Sequence, residues 1–407
     1  MMEEAIMHSQ HRPIYLDNNA TTALDPGVLQ AMMPYLTHAY GNAASSSHTF
    51  GWEASKAVEQ ARAMIAIAIN AASPVDIIFT SGATESINLA LSGLQPRQGK
   101  RKGHIITSMI EHKAVLDSCT RLVDAGTSVT YLPPQHNGIV SPDALLRAIT
   151  ADTRLVSIMA ANNETGTLQR IEEIGAICQD KGVLFHTDAT QAFGKVAFDV
   201  RRMNISLASF SAHKIYGPMG VGALYVNTTD PRLTLSPLIV GGGHERGLRS
   251  GTLNVPAIVG FGHATELAME NLPAESARVC ELRNILRQSL LSTVPDIRIN
   301  GHLTECLPGV LNVSFAGVDA GSLLLELPDI ALSSGSACTS ARQDPSHVLL
   351  AIGASDAEIR ASVRIGLGRF NNENEIRYVS HRLAEAVKML RSMAPGSFSV
   401  PANNREV

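Results

Sequence analysis

No apolar run in this sequence approaches the roughly 20 residues that a membrane-crossing helix needs, which excludes a chain built on such spans. No polybasic tract stands out either. With 33 Lys and Arg against 37 Asp and Glu, the formal charge is -4, so neither nucleic acid nor an anionic membrane surface is expected as a direct partner. The five cysteines (Cys119, Cys178, Cys280, Cys306 and Cys338) are odd in number, widely spaced and without a Cys-x-x-Cys pair. That argues against a disulfide scaffold, a zinc site or a dithiol switch, and no metal is expected. Met1 to Pro13 contain Glu3 and Glu4 and no apolar h-region or arginine-rich amphipathic pattern, so the expected location is the cytoplasm. Internal repeats and low-complexity tracts are also missing.

What is present is enough for a large core. At 407 residues with 45% hydrophobic and 17% charged content, two lobes are expected rather than one. Between residues 75 and 226, short apolar runs alternate with amphipathic stretches, the pattern of βα units and a largely parallel sheet. The runs are 76–80, 104–107, 155–159, 183–187, 207–210 and 222–226. Asn163, Asp188 and Lys214 each follow the carboxyl end of such a run, where open α/β sheets hold ligands. Helical periodicity covers 52–69 and 257–291, and a terminal helix is expected over 373–393. The expected division is a large domain over 15–260 and a smaller α+β domain made of 1–14 and 261–407.

Two segments carry the chemistry. Ser209-Phe210-Ser211-Ala212-His213-Lys214 ends one apolar run, and Cys338 lies in Ser334-Gly335-Ser336-Ala337-Cys338-Thr339-Ser340, where small polar neighbours offer nothing to pack it into a core. A lysine placed for an aldehyde and a cysteine on an open loop suggest pyridoxal-phosphate chemistry that hands an atom to a thiol. That cofactor needs an amine, an acid opposite its pyridine nitrogen, a phosphate cradle and a group stacked on the ring. Lys214 lies between His213, a local cation able to lower its pKa, and a glycine-containing stretch that lets backbone approach closely. Asp188 could face the pyridine nitrogen, with Gln191 three residues on within reach of the ring oxygen. Ser81-Gly82-Ala83-Thr84-Glu85 follows a strand and opens a helix, which suits an anion. His112 follows another strand and could stack. Taken singly, these read as a solvated lysine, an N-cap aspartate, a capping box and a surface histidine.

Their joint order resembles the cysteine desulfurases of the NifS/IscS type, from Tyr15-Leu16-Asp17-Asn18-Asn19-Ala20-Thr21-Thr22 to Gly366-Leu367-Gly368-Arg369-Phe370. The resemblance implies an α/β, aspartate-aminotransferase-like fold (pyridoxal-phosphate fold type I) with a mainly parallel seven-stranded sheet in the large domain. It implies a homodimer that converts L-cysteine to L-alanine and passes sulfur through a Cys338 persulfide to an acceptor protein, a scaffold or a sulfurtransferase. It gives Lys214 the aldehyde and the substrate protons, His112 the ring face, Asp188 the pyridine nitrogen and Gln191 the ring oxygen. Ala83, Thr84, Ser211 and His213 would take the phosphate, with Thr252 reaching in from the second subunit. Asn163 and Arg364 would hold the substrate carboxylate, Arg364 through a bidentate pair. Ala43 and Met219 depart from the family pattern. Selenocysteine lysis, or an idle fold that docks sulfur carriers, are the competing expectations.

Overall fold

The apolar runs become strands of one sheet because their alternating β-branched and aliphatic residues are covered on both faces, as parallel sheets require. The computed structural model describes residues 12–94, 103–334 and 345–393. In chain order the first strands are β1 (Ile14–Tyr15), β2 (Ile77–Thr80), β3 (His104–Ser108), β4 (Ser128–Leu132), β5 (Thr153–Ser157), β6 (Leu184–Asp188), β7 (Leu207–Ser211) and β8 (Gly222–Val226). Seven of them form a sheet in the order β2-β8-β7-β6-β5-β3-β4. Neighbours from β7 through β4 run parallel, whereas β8 pairs antiparallel with both β2 and β7. The chain moves from β3 out to the edge strand β4 and returns on the other side of β3 as β5. This reversal opens a crevice at the carboxyl ends of β3 and β5, the usual ligand position in such sheets.

The helices are α1 (Pro26–Thr37), α2 (Thr49–Ala68), α3 (Ala83–Gly93), α4 (Lys113–Asp124), α5 (Pro142–Ala148), α6 (Ile171–Asp180), α7 (Val255–Thr293), α8 (Ala320–Leu325), α9 (His347–Ala351), α10 (Asp356–Arg360) and α11 (Glu373–Met393). Most starts have a sequence cause. Asp25 caps α1 by accepting from the Gly27 N–H, with Pro26 at the first helical position, and Ser141 with Pro142 does the same for α5. α3 is an exception: its N-cap is Gly82, at φ 155, and no side chain caps it.

A second core lies beyond the sheet. Strands β9 (Ile297–Asn300), β10 (Val310–Phe315), β12 (Ser333–Ser334) and β13 (Ser362–Gly366) form an antiparallel sheet in the order β12-β13-β10-β9. β11 (Ile330–Ala331) pairs parallel with β1, so the beginning of the described chain is held by its last third. Leu16, Leu311, Val313, Phe315, Val363 and Ile365 pack there with α7 and α11. Each fully buried side chain of this size contributes roughly 1.5–3 kcal/mol.

The expected break between residues 260 and 261 falls inside α7, a single helix of 39 residues. Its first half, with Ala257, Ile258, Phe261 and Ala264, belongs to the core under the large sheet. Its second half, with Val279, Leu282, Leu286 and Leu290, belongs to the other core.

Candidate active site

A cavity of about 560 Å³ opens at the carboxyl ends of β3, β5, β6 and β7, a volume typical of small-molecule sites. Ala83, Thr84, His112, Asn163, Asp188, Gln191, Ser211, His213, Lys214 and Arg364 all line it, so the structure brings these sequence-predicted residues together. Thr252 is exposed and does not line this cavity. Cys338 lies outside the described residues. Ser333, shortly before it, pairs with Arg364 across β12 and β13 and does line the cavity.

Each side of the cavity has its own local cause. The uncapped start of α3 leaves free N–H groups beside the Thr84 hydroxyl, Ser211 and His213, a natural seat for an anion. Glycine is needed opposite: a Cβ on Gly222 would stand 2.6 Å from Gly82 Cα and 2.5 Å from Phe210 O. Asp188 ends β6, where its Oδ1 accepts from the Thr190 N–H at 3.0 Å and from the Thr190 hydroxyl at 2.5 Å. His112 caps α4, accepting from the Ala114 N–H through Nδ1 at 3.1 Å, so its ring is held with Nε2 as the other polar atom.

The Lys214 ammonium donates to the carbonyls of Asn19 at 2.6 Å and Ala20 at 2.5 Å, both from the segment that follows β1. The neighbour assigned as its local cation is not one. Burial, and then the charges of Lys214 and Lys195, push His213 down to about 4, so its imidazole is neutral near pH 7 and bonds to the Thr21 hydroxyl at 3.0 Å. The basic group facing Lys214 is Lys195, which sequence reading passed over. Its signal was its place four residues after Gln191.

Arg364, only 2% exposed, reaches in from β13. Its guanidinium donates to the Asn163 carbonyl at 3.2 Å and to Asp17 Oδ1 at 2.7 Å, and Asp17 Oδ2 accepts from the Ser333 hydroxyl at 3.0 Å. Asp17 was quoted in a motif but given no role. Two buried acids adjoin lining residues, Glu111 beside His112 and Glu164 beside Asn163. Burial pushes Glu111 up to about 8, against hydrogen bonds from the Ser108 hydroxyl (2.6 Å) and the Met159 N–H (3.0 Å). Burial likewise pushes Glu164 up to about 7, against a bond from the Ser346 hydroxyl at 2.5 Å.

The donor set suits pyridoxal phosphate: an uncapped helix start and hydroxyls for a phosphate, an amine, and a carboxylate at a strand end for a ring nitrogen. Comparison with known proteins agrees. The family described as aminotransferase class-V matches residues 14–379. A cysteine desulfurase IscS of Anaeromyxobacter dehalogenans is 52% identical over 383 residues, covering 94% of each chain. Among solved structures, a NifS-like protein superposes with a TM-score of 0.86 at 40% identity, covering 93% of this chain and all of that one. A structure described as SspA in complex with cysteine gives a TM-score of 0.77 at 40% identity, covering 88% of this chain and all of that one.

Proposed function

This chain belongs to the aminotransferase class-V family, and we propose that within it the chain is a pyridoxal-phosphate-dependent cysteine desulfurase. L-Cysteine becomes L-alanine, and the sulfur passes to Cys338 as a persulfide for delivery to an acceptor protein. The observation that carries this reading is the single cavity in which Lys214, the open start of α3, Asp188 and Arg364 converge. When bound, the cofactor supplies an electron sink for the substrate Cα.

The chain's own residues do the rest. Asp188 holds a proton at the pyridine nitrogen, His112 covers one ring face and Gln191 donates to the ring oxygen. Ala83, Thr84, Ser211 and His213 bind phosphate, joined in a homodimer by the partner subunit's Thr252. Arg364 and Asn163 hold the substrate carboxylate, and Lys214 takes the Cα proton and returns one to Cα before alanine leaves. The Cys338 thiolate attacks the substrate sulfur: an S–S bond forms, the Cβ–S bond breaks, and its electron pair stays with carbon, which takes a proton to complete alanine. The sulfur gives up the two electrons that reduce the carbon, so no outside oxidant is needed. The reaction runs in the cytoplasm, and the acceptor is a scaffold or sulfurtransferase of iron–sulfur cluster assembly or thiolation.

The test is incubation with L-cysteine, with and without dithiothreitol, measuring alanine and sulfide. Mass spectrometry should find one added sulfur on the Cys338 peptide, removable by dithiothreitol, and none on the other cysteines. Cys338→Ser should still change the colour of the bound cofactor with L-cysteine but not turn over, since a hydroxyl is a far poorer nucleophile toward sulfur. Alanine formed at the parent rate by that variant would sink the proposal.

A further inference from the structure

Behind Lys214 lies a second, narrow cavity of about 30 Å³, bounded by Lys195, Asn19, Glu275, Arg369 and Lys214 itself. Lys214 borders both spaces, whereas Lys195 borders only this one. The Lys195 amine donates to Gln191 Oε1 at 3.1 Å. The same oxygen accepts from Asn19 Nδ2 at 3.3 Å, and Gln191 Nε2 donates to the Asn19 carbonyl at 3.0 Å. That carbonyl also receives the Lys214 ammonium, so one short network joins the two lysines.

Two donors on Oε1 leave the Gln191 amide a single orientation. Turned end for end, its NH2 would face an amine and another amide NH2, and its oxygen would face a carbonyl. We propose that Lys195 is a positioning residue: it fixes the Gln191 amide so that the second N–H of Nε2 is the group offered to the cofactor's ring oxygen. This deepens the function proposed above and rests on its placement of Gln191 at that oxygen.

A lysine suits the task in either charge state. Burial, then the charge of Lys214, push Lys195 down to about 7; Glu275 opposes this, and Arg364 adds to it more weakly. Arg369 and Tyr216, whose phenol burial pushes up to about 12, are the other titratable groups lining this space, and His213, neutral near pH 7, lines the large cavity but feels the Lys195 charge. Protonated or neutral, the amine still has an N–H for Gln191, so titration does not break the link. A role in packing alone would predict that a methionine of similar length is silent or stabilising, since it removes a costly buried amine.

The experiment measures two properties of the full chain: affinity of the cofactor-free protein for pyridoxal phosphate, and the absorption maximum of the bound cofactor. Lys195→Met should weaken affinity about tenfold and move the maximum, while Lys195→Arg, which keeps a donor, should stay within about twofold of the parent. Gln191→Ala should produce the same pair of changes, and Lys195→Met added to it should change little more. If Gln191→Ala shifts both readouts and Lys195→Met neither, the inference falls while the placement of Gln191 stands. Additive losses in the double variant overturn it too. A silent Gln191→Ala removes the placement and the inference together. Should Lys195→Met not fold, Lys195→Ala carries the same comparison.

Discussion

Asp17 Oδ1 stands 2.7 Å from the Arg364 guanidinium, so the protein's own carboxylate occupies one arm of the group assigned to the substrate carboxylate. Asp17 reaches this position because the chain leaving β1 bridges to Gly366 at the end of β13. The contact balances a buried positive charge and, with Arg364 in its proposed role, would compete with an incoming acid.

Asp17→Asn should therefore lower the stability of the ligand-free chain by roughly 1–3 kcal/mol, less than a sealed ion pair because the site opens to solvent. A carboxylate ligand should recover part of the loss. L-Alanine is expected to raise the melting temperature more in this variant than in the parent, and equal shifts would deny the competition. Arg364→Lys should raise KM for cysteine about tenfold with the cofactor band intact, because an ammonium cannot reproduce a two-pronged grip. An unchanged KM would return Arg364 to the scaffold.

Lys214→Ala should fold normally and lose the visible band of covalently held cofactor. Lys195 borders the narrow cavity rather than the large one, so it offers no substitute amine. Borohydride treatment followed by peptide mapping should find no fixed cofactor, and a label on Lys195 would contradict the assignment.

Gly222→Ala places a Cβ 2.6 Å from Gly82 Cα, against backbone that has nowhere to move without shifting the start of α3. Affinity for pyridoxal phosphate should fall at least about tenfold, with far-ultraviolet circular dichroism unchanged. Inorganic phosphate should protect the parent from thermal unfolding more than the variant, and equal protection would place the anion elsewhere.

Glu111 gives a pH dependence with a defined sign. Burial raises it from 4.5 to about 8, with the Asp188 charge adding to the effect, so the folded chain keeps a proton that the unfolded chain releases near 4.5. Its contribution to stability is full below that lower value and is lost as pH rises through about 8. Glu164, at about 7, acts in the same sense. His186 and His213, held near 4 by burial, act oppositely: their contribution is lost as pH falls from about 6.5 toward 4. Glu111→Gln should flatten the decline in melting temperature between pH 5 and 8, and parallel curves for variant and parent would rule Glu111 out as its source.

Much of the site was legible because strand ends are marked by where apolar runs stop: Asp188, Ser211 and Lys214 fall at or just beyond such stops. The edge strand β4 was not, since Ser128, Thr130 and Tyr131 are partly or fully exposed and give no continuous apolar run. The reversed direction of β8 left no trace in its composition, which is that of a buried strand whichever way it runs. Lys195 and Asp17 escaped notice because their roles are created by long-range contacts: Asp17 meets Arg364 across 347 positions. His213 was misjudged as a cation because burial, which a local motif does not reveal, decides its charge.

The pairing of β1 with β11, and of Asp17 with Gly366, also sets a timetable for synthesis. At roughly 5–20 residues per second, some tens of seconds separate the appearance of Tyr15 from that of its partner strand. Through that interval Ile14 and Tyr15 lack their partner strand and Asp17 lacks Arg364, although Asn19 and Ala20 can already meet Gln191 and Lys214. The large sheet can assemble on the ribosome while Ser333 and Arg364, which close one side of its cavity, are still to come, so the finished site is a nearly post-translational product.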